Sequence, residues 1–251
     1  MELKTSFIYK YCSLSTAIEI IRSQSLKFTN PKAFNDPFDC DIDLLEFNFM
    51  EANHEIKEDL KKVKLALETK NGKEKSDFVD NIPNSKIETI YRNSQLKKIE
   101  KSSVCCFSYD FSNKVMWSHY ADSHKGSCLI FDLACEKPFL NYDAERFTQS
   151  LVDYENYRPI NYMSSKKNGI IRLFLTKSHD WFYEQEFRIM IFEKSGLLKF
   201  NRSFFKGIIF GLRVPDPDIN NIKLLLKEQG FTNLIFAKYI KEKLDMKLEF
   251  I

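Results

Sequence analysis

The chain has 251 residues, enough for one domain with a sizeable core. Apolar residues make up 43% and charged residues 29%, a soluble globular composition, and a net charge of +3 is too weak to specify a dedicated nucleic-acid surface. The opening segment lacks the apolar stretch of a signal peptide, and no run approaches the ~20 apolar residues of a spanning helix, so the expectation is a cytoplasmic protein without membrane contact.

The first predicted strand is FIYKYC, which places Tyr9 and Tyr11 on one face. SLSTAIEIIRSQSLKF then predicts a helix, with Ser13 or Ser15 as its cap and Ala17, Ile20 and Ile21 on its apolar side. NPKAFNDPFDCD reads as a loop built on Asn, Asp and Pro turn chemistry. Residues 48–101 change character. Ile56, Leu60, Val63 and Leu67 recur at helical spacing in a Lys- and Glu-rich background, KNGKEK breaks the pattern, and a second helix is expected over 84–100. This is a helical insertion, a lid or a hairpin packed on the sheet, within a single domain spanning 1–251.

Strand signals dominate the rest. SVCCFSYD and GSCLIFDL flank a loop and short helix, FSNKVMWSHYADSHK. RPINYMS, EFRIMIFE, FFKGIIFGL and NLIFAKYI are further strands, and DPDINNIKLLLKEQG is a helix with Pro217 in its first turn and Gly230 as its stop. The fold class is α+β. Cys105 and Cys106 are adjacent and no Cys-x-x-Cys pair occurs, so the six cysteines are expected to be reduced and unpaired.

Chemistry-bearing residues gather in a few places. In WFYEQEFRIMIF, a strand would align Glu184, Glu186 and Arg188 on one face. That is either an exposed ion pair or a cleft whose carboxylates orient a substrate while Arg188 keeps them ionised. FNDPFD offers Asn35, Asp36 and Asp39, as a capped turn or as a cation site that lacks enough oxygen ligands. MWSHYA brings Trp117, His119 and Tyr120 together, aromatics suited to a planar ring or to a core. No P-loop and no G-x-G-x-x-G is present, and no metal site is read.

YKYCS, FNDPFD, CFS with MWSHYADSHKG, and WFYEQEFRI together resemble a bacterial family known only as a domain of unknown function (number 2971). A more distant resemblance concerns mechanism. IYKYCSLSTAIEIIRSQSLKF is similar to the opening of ADP-ribosyltransferases of the poly(ADP-ribose) polymerase type, with Tyr11, Cys12 and Ser13 standing where that family has His-Gly-Ser. CCFSYDFSNKVMWSHYADSHKGSCLIFDL resembles its second block, with Tyr120 at the tyrosine that stacks on nicotinamide. YEQEFRIMI resembles the strand with the catalytic glutamate, at Glu186, and Glu184 completes a Glu-x-Glu pair like that of the arginine-modifying transferases.

The resemblance implies a split mixed sheet of ADP-ribosyltransferase type and NAD as a substrate. It implies catalytic roles for Glu186 and Glu184, and NAD contacts from Tyr11, Ser13, Asn35, Trp117, His119, Tyr120 and Arg188. Glu186 would orient the ribose, Glu184 would face a water or a macromolecular acceptor, protein or nucleic acid, and Arg188 would keep the pair charged or meet a phosphate. It further implies a toxin or phage-defence setting. Tyr11 in place of histidine leaves open a nucleotide- or partner-binding module without turnover, and Asn35, Asp36 and Asp39 leave open a metal-dependent nuclease. The oligomeric state is not legible.

Overall fold

An eight-stranded mixed sheet forms the centre of the computed structural model, which describes residues 3–52, 54, 56–62, 83–140, 147–164, 166–192 and 194–251. In spatial order its strands are β12 (Asp245–Phe250), β11 (Ile235–Glu242), β10 (Phe205–Phe210), β5 (Ser127–Asp132), β1 (Phe7–Cys12), β4 (Ser103–Ser108), β8 (Glu186–Ile191) and β6 (Phe147–Leu151). Neighbours run antiparallel except β10 and β11, whose parallel pairing is made possible by the intervening helix α5 (Asp216–Glu228). Two short ribbons lie outside the sheet, β2 (Ser25–Phe28) with β9 (Gly196–Lys199) and β3 (Leu45–Glu46) with β7 (Ile160–Asn161). The other helices are α1 (Leu14–Ser23), α2 (Asn84–Lys101), α3 (Lys114–Tyr120) and α4 (Lys166–Leu175).

The sheet is nearly severed in its middle. β1 pairs with β5 from Phe7↔Asp132 to Cys12↔Ser127, and β4 pairs with β8 from Ser103↔Ile191 to Ser108↔Glu186. Between β1 and β4 the register holds at Tyr9↔Ser108 alone. Further along, Val104 of β4 exchanges both backbone hydrogen bonds with Thr29, at 2.9 and 2.8 Å, instead of with β1. A window is left between these two pairings. The Lys10 ammonium lies in it and donates to the Cys106 carbonyl at 2.9 Å.

Alternation along the strands sorts the core into layers. On one face Ile8, Phe107, Phe131, Phe187 and Phe210 join α1 and α5 in a cluster rich in phenylalanine, which explains much of the use of 23 such residues. On the other face there are two clusters. Tyr9, Tyr11, Ile130, Ile209 and Trp117 form one, and Val104 and Met190 join α2 and α4 in the second.

Several expectations change. The helix predicted through Phe28 stops at Ser23, where Gln24 turns left-handed (φ 48°) and its amide donates to the Ile20 and Ile21 carbonyls; Ser25–Phe28 then form β2. Strands β6, β9 and β12 and helix α4 were not expected, while RPINYMS supplies only two strand residues. In the insertion, residues 56–62 are helical and α2 packs Ile87, Tyr91, Gln95 and Ile99 into the core, so α2 is a buried support. Val63 and Leu67 fall outside the described residues. All six cysteines stand free. No helix among the described residues is long and apolar enough to cross a membrane.

Candidate functional site

A cavity of about 240 Å³ lies beside the β1–β4 window. Its wall is aromatic and apolar, from Tyr9, Tyr11, Phe34, Phe107, Met116 and Tyr120. Its floor is charged, from Asp39, Lys177, Glu184 and Glu186, with Asn35 and Lys10 at the side. A planar group thus meets rings along its faces and carboxylates at one edge.

Glu184 and Glu186 arrive from different structures. Glu184 ends a 3₁₀ turn, His179–Glu184, and is not in a strand. Gln185 then turns left-handed (φ 45°), and β8 begins at Glu186. The expectation of three charges aligned on one strand therefore holds for Glu186 and Arg188 only. Tyr120 donates to Glu184 Oε1 at 2.6 Å and Lys177 donates to Oε2 at 2.6 Å. Asn35 in turn donates to the Tyr120 hydroxyl at 3.2 Å. The Ser108 hydroxyl fixes the turn by donating to the Glu184 carbonyl at 2.6 Å.

Arg188 is 0% exposed and makes a two-pronged bond to Asp39, at 2.8 and 2.5 Å. It also reaches Glu186 Oε2 at 2.8 Å and the Phe174 carbonyl at 2.8 Å. Lys177 lies 3.4 Å from Asp39 and 3.6 Å from Glu186, with its ammonium 4.8 Å above the Trp181 ring centre. Three carboxylates and two cations are therefore interleaved out of bulk water. This corrects the exposed-pair alternative for Glu186, which is 5% exposed and lines the cavity.

The two glutamates are pushed in opposite directions. Burial alone raises Glu186, but Arg188 and Lys177 outweigh burial and hold its carboxyl below the usual range. Burial and the charge of Glu186 raise Glu184, and the Lys177 and Tyr120 contacts only partly offset them. Asp39 behaves like Glu186: burial raises it, and Arg188 overcomes that to hold it low. Burial and then Glu184 raise the Tyr120 phenol, so it stays a donor. Two carboxylates two residues apart are thus set for different protonation behaviour.

The remaining expected site residues divide. Tyr11 lines the cavity, and its hydroxyl donates to the Asp110 carbonyl at 2.8 Å. Asn35 and Tyr120 line both this cavity and an adjoining groove of about 540 Å³, and His119 lines the groove alone. Trp117 is fully buried with its indole N–H on the Phe111 carbonyl at 2.8 Å, so it supports the wall from behind and cannot hold a ring. Ser13 caps α1 by accepting from the Thr16 amide at 3.1 Å and is not in the lining. Arg188 is too enclosed to meet a phosphate. Asp36 accepts from the Phe38 amide at 2.9 Å and Asp39 is committed to Arg188, so FNDPFD does not converge on a cation. Among the described residues no group of three His, Cys, Asp or Glu is placed to hold a metal.

A family described as "Protein of unknown function (DUF2971)" matches residues 116–189. That stretch is under a third of the chain, and it runs from within α3 into β8. No curated protein and no solved structure matches the chain. The matched stretch carries Tyr120, Lys177, Glu184, Glu186 and Arg188, while Lys10, Tyr11, Asn35 and Asp39 come from outside it.

Sequence reading missed Lys177, Lys10 and Phe34. A weak signal for Lys177 exists: it closely follows the apolar residues Leu173, Phe174 and Leu175, where a buried lysine needs partners. Lys10 alternates with Tyr9 and Tyr11 along β1, so strand geometry alone points it to the opposite face. Only the gap in the sheet lets it return.

Proposed function

We propose that this protein is an NAD-dependent ADP-ribosyltransferase that cleaves the nicotinamide–ribose bond, releases nicotinamide and passes the ADP-ribosyl group to a macromolecule or to water. One observation carries the reading. The three sequence blocks that resemble these transferases, though far apart in the chain, contribute Tyr11, Tyr120, Glu184 and Glu186 to a single cavity, on and beside three neighbouring strands.

The lining fits the nicotinamide riboside end of NAD. A planar pyridine ring suits the slot between Tyr9, Tyr11, Met116 and Tyr120. Ribose hydroxyls are donors, and a carboxylate kept ionised, as Glu186 is, accepts them. Loss of nicotinamide develops positive charge on the ribose, as glycoside cleavage does, and a fixed carboxylate stabilises that charge more than it stabilises the ground state. Glu184, with its raised affinity for a proton, suits removal of a proton from water or an acceptor. Arg188 and Lys177 position the pair from behind.

A second reading, nucleotide binding without turnover, is favoured by one feature. Glu186 already engages Arg188 and the Cys106 thiol, so its charge is largely spent inside the protein. Incubation with NAD separates the two. Free nicotinamide, together with ADP-ribose mass on protein, nucleic acid or in solution, is expected and should disappear in Glu186→Gln. NAD binding with no nicotinamide released establishes the binding module instead.

A further inference from the structure

The window in the sheet holds a cation that feels the charge of Glu186 but forms no ion pair among the described residues. Lys177 and Arg188, the other cations near the cavity, are each tied to at least two carboxylates. Lys10 is half-buried, yet among the described residues it has no ion-pair partner. Its contacts, a hydrogen bond to the Cys106 carbonyl and a weaker one to the Cys105 sulfur, include no carboxylate within ion-pair distance and leave one of three ammonium protons without a protein acceptor. Its alkyl stem and charge lie against Phe107, 5.5 Å from the ring centre. Withdrawing an ammonium from water without a counter-charge is costly unless something supplies the anion.

Position decides what that anion is. Lys10 contributes to the carboxylate-floored cavity, to the adjoining groove, and to a third hollow of about 710 Å³ by α1. In both outer hollows it is joined by Lys27, an exposed residue of β2 with no ion-pair partner of its own among the described residues. The groove also presents His119, Trp181 and Tyr183, rings on which a base can stack. Negative charge therefore sits at the inner end, unpaired positive charge at the mouth, and aromatic surface beyond. A ligand that fits has neutral hydroxyls inside, phosphate at the mouth and a base outside.

We infer that Lys10, with Lys27, is the anchor for the diphosphate of a nucleoside diphosphate. The base side of the ligand lies in the groove lined by His119, Trp181 and Tyr183. The assignment rests on the transferase reading only for what occupies the inner cavity; the phosphate site stands on the unpaired lysine and the grooves that meet there. A guanidinium or a phosphate-free nucleoside gains nothing from this position.

Calorimetric titration of the full chain with ADP and with adenosine tests it. ADP is expected to bind at least about 10-fold more tightly than adenosine, the difference that one charge-assisted contact makes. Lys10→Met, which keeps the alkyl stem, should weaken ADP about 10-fold or more and leave adenosine unchanged, and Lys27→Met should weaken ADP about 3-fold. Equal affinity of the unsubstituted protein for ADP and adenosine overturns the inference, as does ADP binding indifferent to both substitutions. If Lys10→Met does not fold, the ADP–adenosine comparison and the exposed Lys27→Met still decide. Nicotinamide release from NAD is followed in parallel. Lys10-dependent ADP binding without release keeps the phosphate site and removes the transferase. Release with NAD and ADP affinities untouched by Lys10→Met keeps the transferase and removes the phosphate site.

Discussion

The two faces of β8 are equally hidden from water and are built by opposite means. Phe187, Ile189 and Ile191 enter the phenylalanine-rich layer, whereas Glu186 and Arg188 enter the ion cluster. In the apolar layer each contact is weak, non-directional and replaceable, so the layer tolerates rearrangement. In the ion cluster every member has assigned partners at bonded distance, so loss of one strands the others. A fold needs only the first kind of burial; a site that must hold carboxylates in fixed protonation states needs the second.

The sharpest break in this comparison is Arg188→Met. Among the described residues it leaves buried Asp39 and Glu186 with Lys177 as their one ion-pair partner, and we expect a loss of about 3–5 kcal/mol in urea unfolding. Phe131→Leu, equally buried amid Phe107, Phe200, Phe204 and Phe205, should cost only about 1 kcal/mol, because neighbouring rings can close in. Similar losses in the two variants would refute the contrast.

Glu186→Gln tests function on the same face. Under the transferase reading, nicotinamide release falls about 100-fold or more, while NAD affinity changes little. Turnover equal to that of the unsubstituted protein would take Glu186 out of the site.

Acid then separates the two glutamates. Glu186 has a folded pKa below its ordinary 4.5, so its stabilising contribution is present above 4.5 and lost as pH falls through the folded value. Glu184 is raised, so its contribution is full below 4.5 and lost as pH rises through its folded value. Melting temperature followed from neutral pH into acid should therefore fall less steeply in Glu186→Gln than in the unsubstituted protein, and more steeply in Glu184→Gln. Parallel curves for the two variants would remove the assigned asymmetry.

The smallest expected effect is a control. Ser13→Ala removes the α1 cap and should cost about 1 kcal/mol, with NAD turnover unchanged. A drop in turnover at full occupancy would return Ser13 to the cavity.

How far the sequence could be read follows from these same residues. Strands β1, β4, β5, β8, β10 and β11 were legible because short apolar runs bounded by polar and turn residues are a local signal. β6, β9 and β12 were not: they are short or half-exposed, and tertiary pairing rather than composition makes them strands. Tyr11, Asn35, Tyr120, Glu184 and Glu186 could be named as chemistry-bearing, yet nothing in the sequence says that Asp39 answers Arg188. A bidentate bond between residues 149 apart leaves no local trace. Trp117 and Ser13 show the converse, residue types suited to a site that are used as buried wall and helix cap.

The window between β1 and β4 also bears on how the chain is made. Tyr9 meets Ser108, β1 needs β5, and Arg188 must return to Asp39 before the cavity has a floor. Such long separations are slow to close. During synthesis the first strand must wait for partners about a hundred residues later or more, so a partly emerged chain has neither the cavity nor its charges in place. Whatever this site does to the cell that makes it, it does only after residue 188 has left the ribosome.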